Sequence, residues 1–336
     1  MMKMKYPRIS VVTPSYNQGE FIEDTICSVL EQGYPNLEYI IIDGGSTDQS
    51  VEIIQKYAKH LAYWVSERDR GQTDAINRGF SIATGDILAY LNSDDFYLPN
   101  ALNYIAQSYQ AHPTAGLYMG TGISVDQNKN NPKRYSRTVG FDYEALLKGS
   151  CYVLQPATFI NRIAYERVGE LDDTLKYGMD LEYWLRVGKE FPVVVIDEPL
   201  AAYRIYENIK TIQGGFERWV ELWRIYRKYT DAQITPGLLV EFFSILKHPT
   251  ILNQLGMDVK ELAESGFQKT YSLMQAALGL DDCIPTGKGI LFTPKKIDKK
   301  EEMESPHEIK VEEHSSARKE KRFRVLQTRR YGSKPR

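Results

Sequence analysis

The sequence predicts an α/β protein built on a mostly parallel sheet with helices on both faces. Short apolar runs alternate with segments of helical periodicity through the first hundred residues, and several of those runs end in clusters of small and charged residues. Apolar strands separated by helices imply crossover connections and a sheet covered on both sides. The chain has 336 residues, 42% apolar and 26% charged, enough to bury a sizeable core as an ordinary soluble protein.

ISVVTPS reads as a first strand ending in a turn. Residues 20–31 follow with Phe21, Ile22, Ile26, Val29 and Leu30 at helical spacing. LEYIIIDGGS is a second buried strand, and 47–60 a second amphipathic helix with Ser46 as its N-cap. LAYWVSE is a third strand, 73–83 a third helix, and DILAYLNSDD a fourth strand. From Leu117 the pattern changes. LYMGTGISV reads as a strand, DQNKNNPKRYSRT as a polar loop, and GSCYVLQPATFINRIAYERVG leads into a segment with room for a helix. LKYGMDLEYWLRVGKEF has Leu181, Trp184 and Leu185 on one helical side, and FPVVVIDEPLAAYR reads as a last strand pair.

Residues 215 to about 280 read as helices, with Phe216, Trp219, Trp223, Tyr226 and Tyr229 forming a core or dimer face. From about residue 293 the chain is charged and poor in apolar side chains, which predicts disorder. The expected divisions are 1–214, a helical extension at 215–292, and a tail at 293–336.

A net charge of −2 gives no basic excess of the kind nucleic-acid binding favours. Cys27, Cys151 and Cys283 form no CxxC pair, which argues against a zinc site or a disulfide framework and fits a reducing compartment. No apolar run approaches the roughly 20 residues of a membrane span. A cytoplasmic protein is expected, with any membrane contact peripheral. The segment from Arg318 to Arg336 has Glu320 as its sole acid and mixes Phe323, Val325, Leu326 and Tyr331 with basic residues. Such a tail suits either an anionic membrane surface or plain solvation.

In parallel sheets ligands bind beyond the strand carboxyl ends. There the chain puts Thr13-Pro14-Ser15-Tyr16, Asp43-Gly44-Gly45, Glu67-Arg68-Asp69 and Asp94-Asp95. Adjacent carboxylates repel unless a cation compensates. Hard oxygen ligands suit Mg2+ or Mn2+ shared with a diphosphate. The plain alternative for Asp94 and Asp95 is a solvated turn.

The ordered set VVTPSYN, IIDGGSTDQS, SERDRGQTDAINRG, GDILAYLNSDD and YGMDLEYWLR, over about residues 8–210, resembles the family-2 glycosyltransferases with the GT-A fold. The resemblance implies that Thr13, Pro14 and Tyr16 line a nucleotide site. It implies that Asp43 accepts a hydrogen bond from the base, compatibly with an Asx-turn before the two glycines. Asp69, Gly71, Asp74 and Asn77 would border the donor, or simply cap and surface the third helix. Asp94 would approach the ribose or sugar, and Asp95 would be the main metal ligand.

By the same resemblance Asp180 matches the base that inverting transfer needs on an acceptor hydroxyl, while the metal neutralises the diphosphate. Its alternative is an Asp favoured by a helix dipole. Glu182 is the reserve candidate; positions two apart on a helix do not share a face. Met179 stands where the family usually has Glu. The segment from Gln155 to Phe159 resembles the one under the acceptor. The resemblance implies that Tyr203-Arg204 begins a late loop of the kind that in relatives closes over the diphosphate, with Arg204 and Lys210 as candidate partners, or solvated charges. Tyr206 stands where many relatives have His, and a phenol of pKa about 10 is a poor metal ligand.

The implied activity is inverting transfer from a UDP- or dTDP-sugar to a hydroxyl of a glycan or lipid-linked acceptor in polysaccharide or glycolipid assembly. Two rivals stay open. A nucleotidyltransferase would need a basic phosphate loop after the first strand, and TPSYNQGE has no Lys or Arg. A non-catalytic glycan- or nucleotide-binding protein is kept open by Met179 and Tyr206.

Overall fold

The computed structural model describes residues 6–134, 140–149, 151–207, 209–232 and 235–246. The first strand, β1 (Ile9–Ser15), is buried along its whole length. It pairs in parallel with β2 (Leu37–Asp43) on one side and β4 (Ile87–Tyr90) on the other. Beyond β2 lies β3 (Tyr63–Ser66), also parallel. The connections are α1 (Ile22–Leu30), α2 (Ser50–Tyr57) and α3 (Gln72–Ile82).

Alternation along β1 sends its side chains to two covered faces. Ile9 and Val11 join Tyr39, Ile41, Ile87 and Ala89 in a core that takes in Ile22, Ile26 and Val29 of α1. On the other face α3 lies so close that a Cβ at Gly79 would stand 2.3 Å from Val12 Cγ1. The sheet is thus sandwiched, as the continuous apolar runs demand.

The second half is mixed. β5 (Phe96–Tyr97), α4 (Ala101–Ala111), β6 (Leu117–Asp126), β7 (Lys133–Arg134), α5 (Tyr143–Lys148), β8 (Thr158–Asn161), α6 (Arg162–Val168), α7 (Met179–Glu190) and β9 (Val193–Ile205) follow in order. The strand order is β3-β2-β1-β4-β8-β6-β9-β5, with β7 on β6, nine strands among the described residues. β8 runs antiparallel to both β4 and β6, whereas β9 is parallel to β6. Three helices close the described chain: α8 (Lys210–Gln213), α9 (Gly215–Tyr229) and α10 (Pro236–Leu246).

Two expectations are corrected. The helix expected over 47–60 begins at Ser50, and Ser46 gives its hydroxyl to Asp43 instead of capping. The last strand pair is one strand, β9, whose register against β6 shifts on either side of the Thr121–Pro199 pair. Pro199 has no N–H for the ladder, so the pairing slips there without a turn. Of the helices expected from 215 to 280, α9 and α10 account for residues up to 246. The rest, and the basic tail, lie outside the described residues. Among the described residues no helix is long and apolar enough to cross a membrane.

Candidate active site

After β4 the chain leaves the sheet. Leu91 N still bonds Val12 O at 2.9 Å, and Asp95 N then closes a turn on Asn92 O at 3.0 Å. From α1, the Thr25 hydroxyl pins this turn through Ser93 O at 2.9 Å and Asp95 O at 2.7 Å. Asp94 and Asp95 are therefore held at the sheet's carboxyl edge.

Asp95 is 6% exposed and, among the described residues, accepts two long bonds, from Arg204 N at 3.2 Å and Asn92 Nδ2 at 3.4 Å. Burial, and then the neighbouring Asp94, push its carboxyl well above the ordinary range. Burial raises Asp94 too, opposed by the Tyr206 hydroxyl, which donates to Asp94 Oδ2 at 2.9 Å, and by Arg204. A buried and a half-buried carboxylate side by side, with few hydrogen bonds, are short of positive charge, and their hard oxygens fit a divalent cation. Among the described residues no cluster of three or more His, Cys, Asp or Glu could hold a metal. The pair would leave the remaining coordination to water and phosphate oxygens. Tyr206 meets the carboxylate as a hydrogen-bond donor.

The sequence suggested Arg204 for the diphosphate. Its guanidinium lies behind the carboxylates, 3% exposed, between the rings of Phe21 and Phe96, each centroid 5.1 Å away. It donates to Asp94 O and to Asp24 Oδ2, both at 2.5 Å. These bonds brace the turn that carries Asp94.

Asp180 is the second residue of α7, and its Oδ1 accepts the Leu181 N–H at 2.7 Å. It lines a cavity of about 110 Å3 with Cys151, Tyr177, Arg218, Tyr226 and Glu241. Burial raises its carboxyl, while the Leu181 N–H, Arg218 and Lys210 pull the other way. Glu182, the reserve candidate, is turned away into bonds from Arg186 Nε at 2.9 Å and the Tyr229 hydroxyl at 2.6 Å. Tyr90 closes β4 with its side chain fully buried. Its buried phenol feels the charges of both Asp180 and Asp95, and its hydroxyl has no partner among the described residues. Around it runs a polar chain: Lys210 Nζ to Gln72 at 2.7 Å, Gln72 to Asn92 at 2.6 Å, Asn92 to Gln155 at 3.1 Å, and Gln155 to Tyr90 O at 2.8 Å.

At the neighbouring strand ends, Tyr16 is 60% exposed and Pro14 is buried. Thr13 turns its hydroxyl into the core, 3.1 Å from the Tyr39 hydroxyl. Asp43 is fully buried and accepts four donors: Gly45 N at 3.2 Å, Ser46 N at 2.8 Å, Ser66 Oγ at 2.7 Å and Ser46 Oγ at 2.5 Å. Asp74 holds Arg70, which also reaches Asp173 at 2.8 Å. Burial acts to raise Asp74, and the Arg70 bonds outweigh it, so its carboxyl lies below the usual range. Asn77 ties α3 to Leu171 through both its amide atoms.

One residue of this region carries no signal in the sequence. Glu221, on α9, accepts the backbone N–H groups of Lys176, Tyr177 and Gly178 at 2.8, 2.7 and 2.6 Å. These are the residues just before Asp180.

Residues 10–169 match the family model for glycosyl transferase family 2. An uncharacterized glycosyltransferase of Mycobacterium tuberculosis is 31% identical over 185 residues, covering 54% of this chain and 68% of its own length. TuaG of Bacillus subtilis, a glycosyltransferase assigned provisionally to teichuronic acid biosynthesis, is 29% identical, covering 66% and 88%. Among solved structures, S. aureus TarS 1-349 in complex with UDP-GlcNAc aligns with TM-score 0.57 at 16% identity, covering 81% of each chain. A mannosyltransferase of Pyrobaculum calidifontis with GDP-Man and Mn2+ aligns with TM-score 0.52 at 19% identity, covering 84% and 82%. The chain is a glycosyltransferase of family 2 with the GT-A fold. It is a transferase enzyme, which sets aside the non-catalytic and nucleotidyltransferase readings.

Proposed function

We propose that this enzyme transfers a sugar, with inversion and cation assistance, from a uridine or thymidine diphosphate sugar to a hydroxyl of a glycan or lipid-linked acceptor. The observation that carries the reading is a pair of carboxylate centres: Asp94–Asp95 at the end of β4, with Asp95 buried on two long hydrogen bonds, and Asp180 of α7, lining a cavity. One is short of positive charge, as a site for a cation and diphosphate should be. The other lines a cavity, as a base facing an acceptor should.

In this reading the acceptor hydroxyl gives its proton to Asp180 while its oxygen bonds to the anomeric carbon. The bond from that carbon to the diphosphate oxygen breaks on the opposite side, and the nucleoside diphosphate leaves with the electron pair. Mg2+ or Mn2+ held by Asp95 and Asp94 would offset the charge that gathers on the diphosphate. Tyr206 and Arg204 keep Asp94 in place. Lys210 donates to Gln72, and its ammonium feels the charge of Asp180. The relatives that bind UDP-GlcNAc, or GDP-Man with Mn2+, support the donor and the cation. TuaG supports an acceptor in cell-envelope polysaccharide or glycolipid assembly. Such acceptors favour work in the cytoplasm, with peripheral contact at the inner membrane face through the basic tail.

The test is diphosphate release from UDP-, dTDP- and GDP-sugars with Mn2+ and candidate acceptors. Asp180→Asn should bind donor and lose transfer by about 10²–10⁴-fold, the scale of general-base catalysis. Normal transfer by Asp180→Asn would sink the assignment.

A further inference from the structure

We infer that Asp69, rather than Asp43, is the carboxylate that reads the donor base, and that it selects bases with an imino N–H. The inference rests on the nucleotide-sugar reading above and adds to it the residue that fixes the base.

Asp43 is closed to a ligand. A carboxylate offers about four lone-pair sites. In Asp43 the N–H groups of Gly45 and Ser46 and the Ser66 hydroxyl converge on Oδ2, the Ser46 hydroxyl takes Oδ1, and no surface is left exposed. Its bonds hold the turn after β2 and tie β3 to it through Ser66.

Asp69 is placed differently. The segment after β3 folds back over this turn, with Glu67 N bonded to Asp43 O at 2.9 Å. Two glycines make the approach possible. A Cβ at Gly45, where φ is +81°, would stand 3.3 Å from Arg68 N. A Cβ at Gly44 would stand 2.6 Å from Asp69 Oδ2. The Asp69 carboxylate thus fills the space that any side chain at position 44 would take. Asp69 Oδ1 accepts Gly71 N at 2.9 Å, and Oδ2 takes no hydrogen bond among the described residues. The residue is half-buried.

Its position relative to the diphosphate site fits. β2 is two strands from β4, with β1 and the exposed Tyr16 ring between them. At about 4.8 Å per strand that is roughly 10 Å across the sheet edge, room for a nucleoside to lie between Asp69 and Asp94–Asp95. A carboxylate only accepts. Oδ2 therefore suits the imino N–H of uracil, thymine or guanine. It opposes cytosine and adenine, whose ring nitrogen on that edge is itself an acceptor.

The experiment is calorimetric titration of the full chain, with Mn2+, by UDP, dTDP, GDP, CDP and ADP. The wild type should favour at least one imino-bearing diphosphate at least tenfold over CDP and ADP. Asp69→Asn, which adds a donor, should weaken that ligand at least tenfold and bring its ratio to CDP towards one. Gly44→Ala should displace the carboxylate and copy the loss, and the two changes together should cost less than their sum. Unchanged affinity and discrimination in Asp69→Asn, full additivity with Gly44→Ala, or a wild type preferring CDP or ADP would overturn the assignment while leaving nucleotide binding intact. A wild type that binds none of the five removes the nucleotide-sugar reading and Asp69 with it.

Discussion

Replacing Glu221 by Ala should loosen the segment that carries Asp180. In the folded chain this one carboxylate takes three consecutive backbone N–H groups, Oε2 from Lys176 and Oε1 from Tyr177 and Gly178. Hydrogen bonds to charged groups contribute about 1.5–3 kcal/mol each. Lys176 is exposed and water can replace its partner, so the estimate counts the two part-buried amides and is discounted for partial exposure. That leaves about 3 kcal/mol for Glu221→Ala. For a body of this size each kcal/mol shifts Tm by about 2–4 °C, so the variant should melt about 6–12 °C below the wild type. Glu221→Gln keeps an oxygen on Tyr177 and Gly178 but loses the charge, and since neutral hydrogen bonds are about half as strong it should lose about half of that. The assay is scanning calorimetry, followed by transfer kinetics. Because Asp180 follows the clasped residues, the Ala variant should lower kcat more than it raises the donor KM. A Glu221→Ala protein that melts within about 2 °C of the wild type would refute the reasoning, since such a small shift means the three bonds add less than about 1 kcal/mol.

Further outcomes follow from the same geometry. Burial raises the Asp180 carboxyl above its ordinary value of 3.8. The acid limb of kcat/KM should therefore lie above that value, and a limb at or below it would exclude Asp180 as base. A raised folded pKa is stabilising below the unfolded pKa and is lost as pH rises through the folded one. Asp180→Asn should accordingly melt no lower than the wild type at neutral pH while losing transfer, and a clear drop in Tm would contradict this. Mn2+ should raise the Tm of the wild type and not that of Asp95→Asn; an equal shift in both would place the cation elsewhere. At the opposite edge of the sheet, Glu38 accepts from Arg8, Ser10 and Thr84. Burial acts to raise its carboxyl, and those bonds outweigh burial and lower it from 4.5. Its stabilisation should hold above 4.5 and fade as pH falls through the lower folded value, an acid loss that Glu38→Gln should lack in urea titrations at stepped pH.

What the sequence could reveal depended on how local each cause was. The parallel half of the sheet was readable because its cause is repeated along the chain: ISVVTPS, LEYIIID and DILAYL are apolar throughout, and only a doubly covered strand tolerates that. The carboxylate pair was readable for the same reason, since adjacency in sequence guarantees adjacency in space. The β9 slip was hidden because a proline between apolar runs suits a turn as well as a shifted register. The bracing contacts of Arg204, expected at the diphosphate, and the whole part of Glu221 were hidden more deeply. An arginine at a strand end reads as a phosphate partner or a solvated charge, and a glutamate on a helix as a solvated charge. Only folding brings Asp24 to the one, 180 residues away in sequence, and residues 176–178 to the other, 43 to 45 residues away.

Asp43 is the most instructive case, because its two readings differ in nothing the sequence records. Asp-Gly-Gly-Ser suits a turn that satisfies its own carboxylate, and it equally suits a carboxylate offered to a base. The donors and the burial favour the first. Gly45 N, Ser46 N and the Ser66 hydroxyl meet at Oδ2, the Ser46 hydroxyl takes Oδ1, the side chain is fully buried, and Ser66 comes from another strand. The glycine at 44 then has a cause beyond turn geometry, since it admits the Asp69 carboxylate to a place where even a methyl group would collide with it.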